Sequence, residues 1–541
     1  VTDFGWRSAA SSFRLAAIVV LTTVAATAMV NSSETAAIAA KKASAVFIGP
    51  AGQRSTAIIA ENARKGTTSW QIENRGQGFI EGFATTTYAA RGDRVHLYVS
   101  TSAPRFRVIA YRMGWYRGAG ARKVWQSAFV VGRRQPPCTL TRPVNMVSCT
   151  NWTRSLSMLV TRDFVPGDYL LKLVGSDHQQ SYVLLTIWNP DSRATYLVMA
   201  RSLTEQGWND YGGYDLYAGK GPCQLDSNKY PPCNRARVVS FDRPMATGNG
   251  ASDFLADEYP FVQFAERHGL DVSYVTDVTV DEHASIVLAH RAVISLGHDE
   301  TWTYAELRAV QRGIDHGVNV AFLSAAAIVR HARLQRSSFG VDRQMVDYRD
   351  SSEDPLKGHG NPMEVTGNTW ASPPTNFSVS RLTGQLYSGY VYDNKTPSPF
   401  IAWTPSAWIF QGTGFRVGSK IFDVIGSDID HVDPALPTPA NLEVLGHSPV
   451  PLTHAYTNQG SWGGYTYSDM TYWSSRTSYA GVFDAGTVNW IGAMVACPKS
   501  DTQCPQRWVE KITGNLLRLF GRGPAGRVVP SIATKVVPEG S

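Results

Sequence analysis

At 541 residues the chain is too long for a single core, and 43% hydrophobic with 18% charged residues excludes a disordered polymer. Against 44 Asp and Glu stand 51 Lys and Arg, a formal net charge of +7. No Lys/Arg block with interleaved aromatics accompanies that charge, so nucleic acid is not favoured as a partner. A weakly basic surface is compatible with acidic polymers or anionic lipid.

Arg7 and Arg14 precede Leu15 to Val30, a run of 16 residues without charge. That is short for a span of ~20 residues. With the small residues Ala37-Ile-Ala39 and Ala43-Ser-Ala45 behind it, residues 1–45 read as a secretory signal peptide. A membrane anchor through residues 15–30 is the alternative. Either way the protein is expected to be secreted or membrane-anchored, on the extracytoplasmic side. The six cysteines form three close pairs in sequence. The simplest connectivity is Cys138–Cys149, Cys223–Cys233 and Cys497–Cys504. No pair has the C-x-x-C spacing of a zinc site.

Residues 46–188 lack helical periodicity. Arg94-Val-His-Leu-Tyr-Val-Ser100, Asp168-Tyr-Leu-Leu-Lys-Leu-Val174 and Ser181-Tyr-Val-Leu-Leu-Thr-Ile-Trp188 are short strands between turn residues. They predict an N-terminal antiparallel β-sandwich of immunoglobulin-like type. From 189 to 522 strands alternate with helices. Thr195 to Ala200, Asp271 to Thr276, Ala292 to Leu296 and Val318 to Leu323 are apolar enough to be buried on both faces. Helical patterns at Asp253 to His268, Thr303 to His316 and Arg507 to Phe520 lie between or after them, with Pro260 expected to weaken or kink the first. The implied architecture is α/β, a doubly wound and mostly parallel sheet. Residues 523–541 read as a tail.

The sharpest local signal is Gly297-His-Asp-Glu-Thr-Trp302, at the end of the Ala292 to Leu296 strand and before a capping box, Thr303-Tyr-Ala-Glu306. Polar residues at the carboxyl end of a parallel strand are where open α/β sheets bind ligands. A polar turn that only caps the helix is the plainer explanation of the same residues. The Tyr- and Gly-rich stretch Trp208 to Tyr217 can line a pocket. Asp428 and Asp430 follow the apolar run that starts at Phe422.

Several segments together resemble the large (β) subunit of N,N-dimethylformamidase and its relatives. They are Tyr111-Arg-Met-Gly-Trp-Tyr-Arg-Gly118, Asn209-Asp-Tyr-Gly-Gly213, Ser240-Phe-Asp-Arg-Pro244, Gly297-His-Asp-Glu300 with Trp302, and Val482-Phe-Asp-Ala-Gly-Thr487. The resemblance implies a β-sandwich followed by a domain like that of class I glutamine amidotransferases. With no Cys near Gly297, the cysteine mechanism of those enzymes is excluded. It also implies a mononuclear iron held by two Tyr and one Glu, activating water for attack on an amide. On that pattern Glu300 and Tyr217 are metal ligands, and His298, Glu300 and Asp428 are catalytic. Trp208, Asn209, Tyr211 and Asp299 are expected to border the substrate. Three positions depart from the pattern: Trp208 for the second Tyr, Ala326 for an Asn, and Asp428 for a Glu. Two readings follow. One is an exported hydrolase acting on an amide-type or other cell-envelope substrate through a modified site. The other is a non-catalytic envelope protein that binds a glycan or protein partner.

Overall fold

The computed structural model describes residues 45–534, except 77, 222–232, 393–396, 459–462, 499 and 502. Its contacts divide the chain into 1–46 and 47–541. The expected signal or anchor segment lies outside the described residues. The sheets that build the site belong to the second unit.

The region nearest the start of that unit is built from antiparallel sheets. Ile80–Ala84, Arg94–Thr101 and Leu156–Leu159 form one sheet. Ala121–Gln126, Arg105–Met113, Gly167–Gly175 and Gln180–Ile187 form the other, with Tyr88–Ala89 parallel on its edge. Alternation explains the core. Val95, Leu97 and Val99 of the first sheet meet Val108, Leu171 and Leu173 of the second, all buried in one cluster.

Beyond it runs a seven-stranded sheet in the order Val272–Thr276, Tyr196–Ala200, Ala292–Leu296, Asn319–Leu323, Gly481–Asp484, Tyr465–Ser474, Glu443–Pro451. The first five strands are parallel and the last two antiparallel. The parallel strands are apolar on both faces because both are covered. Ile294, Leu296 and Leu323 pack with the helices Tyr259–Arg267 and Gln506–Phe520. On the other face Val293, Val320 and Phe322 pack with Tyr304–Asp315.

Two details differ from the sequence expectation. The helix expected over Asp253 to His268 is divided into Phe254–Asp257 and Tyr259–Arg267, with Pro260 in the first turn of the second. Proline has no N–H to lose there, so it starts a helix rather than bending one. A short strand, Thr301–Thr303, also stands between the Gly297 turn and the helix and pairs in parallel with Arg330 to Ala332. The helix itself begins as expected, with Thr303 and Glu306 in a reciprocal capping box.

The cysteine expectation holds for Cys138–Cys149 and Cys497–Cys504. The third pair includes Cys223, which lies outside the described residues.

Candidate functional site

Three chain segments meet beyond the carboxyl ends of the parallel strands. Ala292–Leu296 ends at Gly297, whose φ is 59°. A Cβ there would sit 2.8 Å from the carbonyl oxygen of Asp257, so the turn needs glycine. Arg201 holds the turn from below: its guanidinium donates to the carbonyl of His298 (3.3 Å) and to Asp257 (2.9 Å). Tyr196–Ala200 leads through the helix Ser202–Gly207 to Trp208. The loop then doubles back, with the Leu216 N–H on the Gly207 carbonyl at 3.0 Å, and lays Tyr217 on Trp208. The two rings stack at 3.6 Å and 12°. The third segment, Asp428–His431, pairs with Leu386–Val391 and is tied to the end of Gly481–Asp484 through Ile429 and Thr487.

Glu300 is the focus. Its Oε2 accepts from the Trp208 indole N–H at 3.0 Å and from the Tyr217 hydroxyl. Its Oε1 accepts from Arg330 Nε at 3.1 Å. Arg330 also lies 5.8 Å from the Tyr217 ring centroid, and Arg349 4.5 Å. Burial pushes the Glu300 carboxyl up, but His298, Arg330 and the Tyr217 hydroxyl outweigh it and hold the pKa below the ordinary value. Tyr217 is driven the other way, well above the usual phenol range, by burial and the Glu300 charge.

His298 links Glu300 to Asp428. Its Nε2 lies 3.5 Å from Glu300 Oε2 and 3.1 Å from Asp428 Oδ2. The alignment is that of a hydrogen bond with neither, so this ring nitrogen faces two carboxylates uncommitted. Burial raises Asp428 to about 6, with His298 pulling down and the Glu300 charge pushing up. The result is two carboxyl groups on either side of His298 with opposite protonation preferences, Glu300 held ionised and Asp428 poised to exchange a proton. The side chains of His298, Glu300 and Asp428 are 13%, 6% and 17% exposed, and Trp208 forms an exposed wall beside them.

The other expected site residues lie apart from this group. Asn209 is a buried turn residue: its amide donates to Gln206 and the Pro244 carbonyl and accepts from the N–H groups of Tyr211 and Ala246. The Tyr211 hydroxyl donates to Glu81 at 2.7 Å. Asp299 turns back into the sheet and accepts from the Ser295 hydroxyl at 2.7 Å. The Ala326 N–H donates to Asp430 at 2.7 Å. Arg330 and Arg349 are additions that sequence reasoning misses. Arg330 arrives through the short strand pairing of Thr301 with Arg330, a contact with no local sequence signature.

An iron site of two Tyr and one Glu does not fit these residues. Where a second phenolate would be needed stands Trp208, whose indole nitrogen is a donor only and already donates to Glu300. Among the described residues, the three-residue set of His, Cys, Asp or Glu ligand atoms lying within 4.8 Å of one another is Cys497, Asp501 and Cys504. Both of its cysteines are in a disulfide.

A cluster of His298 with the carboxyl groups of Glu300 and Asp428 thus lies beyond the carboxyl ends of the parallel strands, in a chain that also carries several antiparallel sheets. The family described as N,N-dimethylformamidase beta subunit-like, C-terminal, matches residues 107–504, and the chain belongs to it. No curated protein matches the chain. Among solved structures, a cycloisomaltooligosaccharide glucanotransferase of Paenibacillus sp. complexed with cycloisomaltoheptaose is similar at 8% identity and a TM-score of 0.14, over 24% of this chain and 17% of that one. The chain thus spans less than a fifth of that enzyme.

Proposed function

We propose that this is an exported, dimethylformamidase-like hydrolase that cleaves an amide-type C–N bond in a cell-envelope substrate, with His298, Glu300 and Asp428 as its working groups. The observation that carries the reading is the uncommitted His298 Nε2 between two carboxylates of opposite protonation preference. Asp428, once ionised, takes a proton from water as the C–O bond forms. It returns the proton by way of His298 to the nitrogen as the C–N bond breaks. Glu300 stays ionised, fixes Trp208 and Tyr217, and sets its charge beside His298. Trp208 and Tyr217 offer the substrate an apolar wall.

Support for export comes from the two disulfides, which suit an oxidising compartment. Among the described residues no helix is long and apolar enough to cross a membrane. The sheets are consistent with an immunoglobulin-like sandwich over 46–188. The helix-covered parallel sheet is consistent with a doubly wound, glutamine amidotransferase-like region over 189–522.

The test is release of amine from a panel of formamides, acyl anilides and N-acetylated amino sugars. Turnover by the wild type, reduced about 10²- to 10⁴-fold in Asp428→Asn, is expected. Absence of release from every compound would sink the hydrolase reading. The second reading, a binding or assembly protein of the envelope, draws on an exposed aromatic strip. Tyr390 lies opposite both Asp428 and Tyr456 in its sheet, and its ring is 5.3 Å from Tyr392 and 5.5 Å from Tyr456. Such a strip beside the site suits a glycan or a protein partner, and retention on envelope glycans without turnover would favour it.

A further inference from the structure

A second group of carboxylates, with no part in the proposed hydrolysis, surrounds a cavity of about 80 Å³ beside the helix Ser202–Gly207. That is room for roughly five water-sized occupants. Asp168, Glu205 and Glu258 line it, together with the rings of Phe241 and Phe254. Asp168 is satisfied by the Thr186 hydroxyl at 2.8 Å. Glu205 Oε1 and Glu258 Oε2 are buried and have no hydrogen-bond partner, in residues only 6% and 2% exposed.

The nearby cations do not cancel this charge. Arg201 approaches Glu258 at 3.5 Å but spends its closer bonds on Asp257 and the His298 carbonyl. Arg243 also lines the cavity, yet its guanidinium donates to the carbonyls of Asn209, Tyr211 and Tyr214. Arg343 is held by Asp242 and by the Ala84 and Phe241 carbonyls. Buried carboxylate oxygens without a hydrogen bond are costly, and either protons or a bound cation relieves them. Burial drives the Glu205 carboxyl up; Arg201 pulls it back, and Asp253, Asp277 and Asp257 push it up again.

The geometry points to a small organic cation of the alkylammonium class as the occupant, held by Glu205 and Glu258 against Phe241 and Phe254. Its N–H groups answer the two open carboxylate oxygens, and its alkyl part and charge suit the aromatic walls. A bare metal ion suits the cavity less well. Among the described residues, these carboxylates do not bring three ligand atoms within 4.8 Å of one another.

Thermal unfolding of the full chain in methylammonium chloride, against sodium chloride at matched ionic strength, tests this. The pH should lie above the value of about 8 to which burial raises Glu205. Methylammonium is expected to raise the midpoint by about 2 to 4 °C over sodium. Glu205→Gln should abolish that difference while unfolding no earlier than the wild type, because it removes an unpartnered buried charge. Asp428→Asn should retain the difference. Equal midpoints in the two salts, or a difference that persists in Glu205→Gln, would overturn the proposal. Titration calorimetry of the wild type with methylammonium provides a second readout, with saturable binding expected and its absence counting against the site.

Discussion

Two places in this protein set imidazoles against a carboxylate, and they solve the problem differently. Asp469 lies fully buried between His431 and His447, 3.0 and 2.6 Å from their Nδ1 atoms, and also accepts the Val432 N–H at 2.9 Å. Burial would raise it, but the two histidines hold it far below the ordinary range. The His447 ring is further clamped on Tyr467 at 4.2 Å. Asp428 has one imidazole, imperfectly aligned, a like charge nearby and partial exposure, and it is pushed up to about 6. A satisfied carboxylate is a structural tie. One left short of partners at the rim of a sheet has a proton to exchange.

The largest effect is expected at the tie. Asp469→Ala removes the carboxylate that two buried imidazoles share and should cost about 3 to 5 kcal/mol in urea unfolding. Because its folded pKa is depressed, Asp469 stabilises the fold above the unfolded value near 3.8, and that contribution is lost as pH falls below it. The variant should therefore lose the corresponding part of its acid sensitivity. A cost below about 1 kcal/mol would remove the contrast with Asp428.

Asp428→Asn should move stability in the opposite direction. With a folded pKa raised from 3.8 to about 6, Asp428 binds its proton more tightly in the folded state. Stability on its account is full below pH 3.8, falls as pH rises toward 6, and stays reduced above. A tenfold change in proton affinity is worth about 1.4 kcal/mol, so at neutral pH the variant should be more stable by about 2 to 3 kcal/mol. It should lose turnover at the same time. A destabilised Asp428→Asn would mean that the aspartate is a second tie. Wild-type turnover should rise as pH passes through about 6, the point at which Asp428 becomes a base. A flat profile across that range would remove Asp428 from the chemistry.

The smallest effects concern Trp208. Trp208→Phe keeps the stack on Tyr217 but drops the N–H to Glu300, and should cost about 1 kcal/mol at this half-exposed position. Trp208→Tyr supplies a second phenol. Elemental analysis and a visible spectrum should then find iron with a tyrosinate band in this variant and neither in the wild type. Iron in the wild type would show that the indole does not block the metal that the resemblance implies.

Much of the fold and part of the site are legible from residue order. The buried strand ending in Gly297-His-Asp-Glu is a local pattern, and so is the capping box behind it. Asn209 and Tyr211 are not decided by residue order, because polar and aromatic residues beside a glycine-rich turn look alike whether they face a ligand or tie the turn. His298 and Glu300 follow one strand directly, whereas Arg330 and Asp428 reach the site through other strand pairings.

Alternation, apolar runs, caps and close cysteine pairs are short-range properties, and the sequence by itself determined the layered strands, the Gly297 turn, two disulfides and the family. Tertiary structure alone decided which distant charges meet. It placed Arg330 and Tyr217 on Glu300, where they help to keep it ionised, and withheld a comparable partner from Asp428. Protonation depends on burial and on charges a few ångströms away, and neither is written in the neighbouring residues.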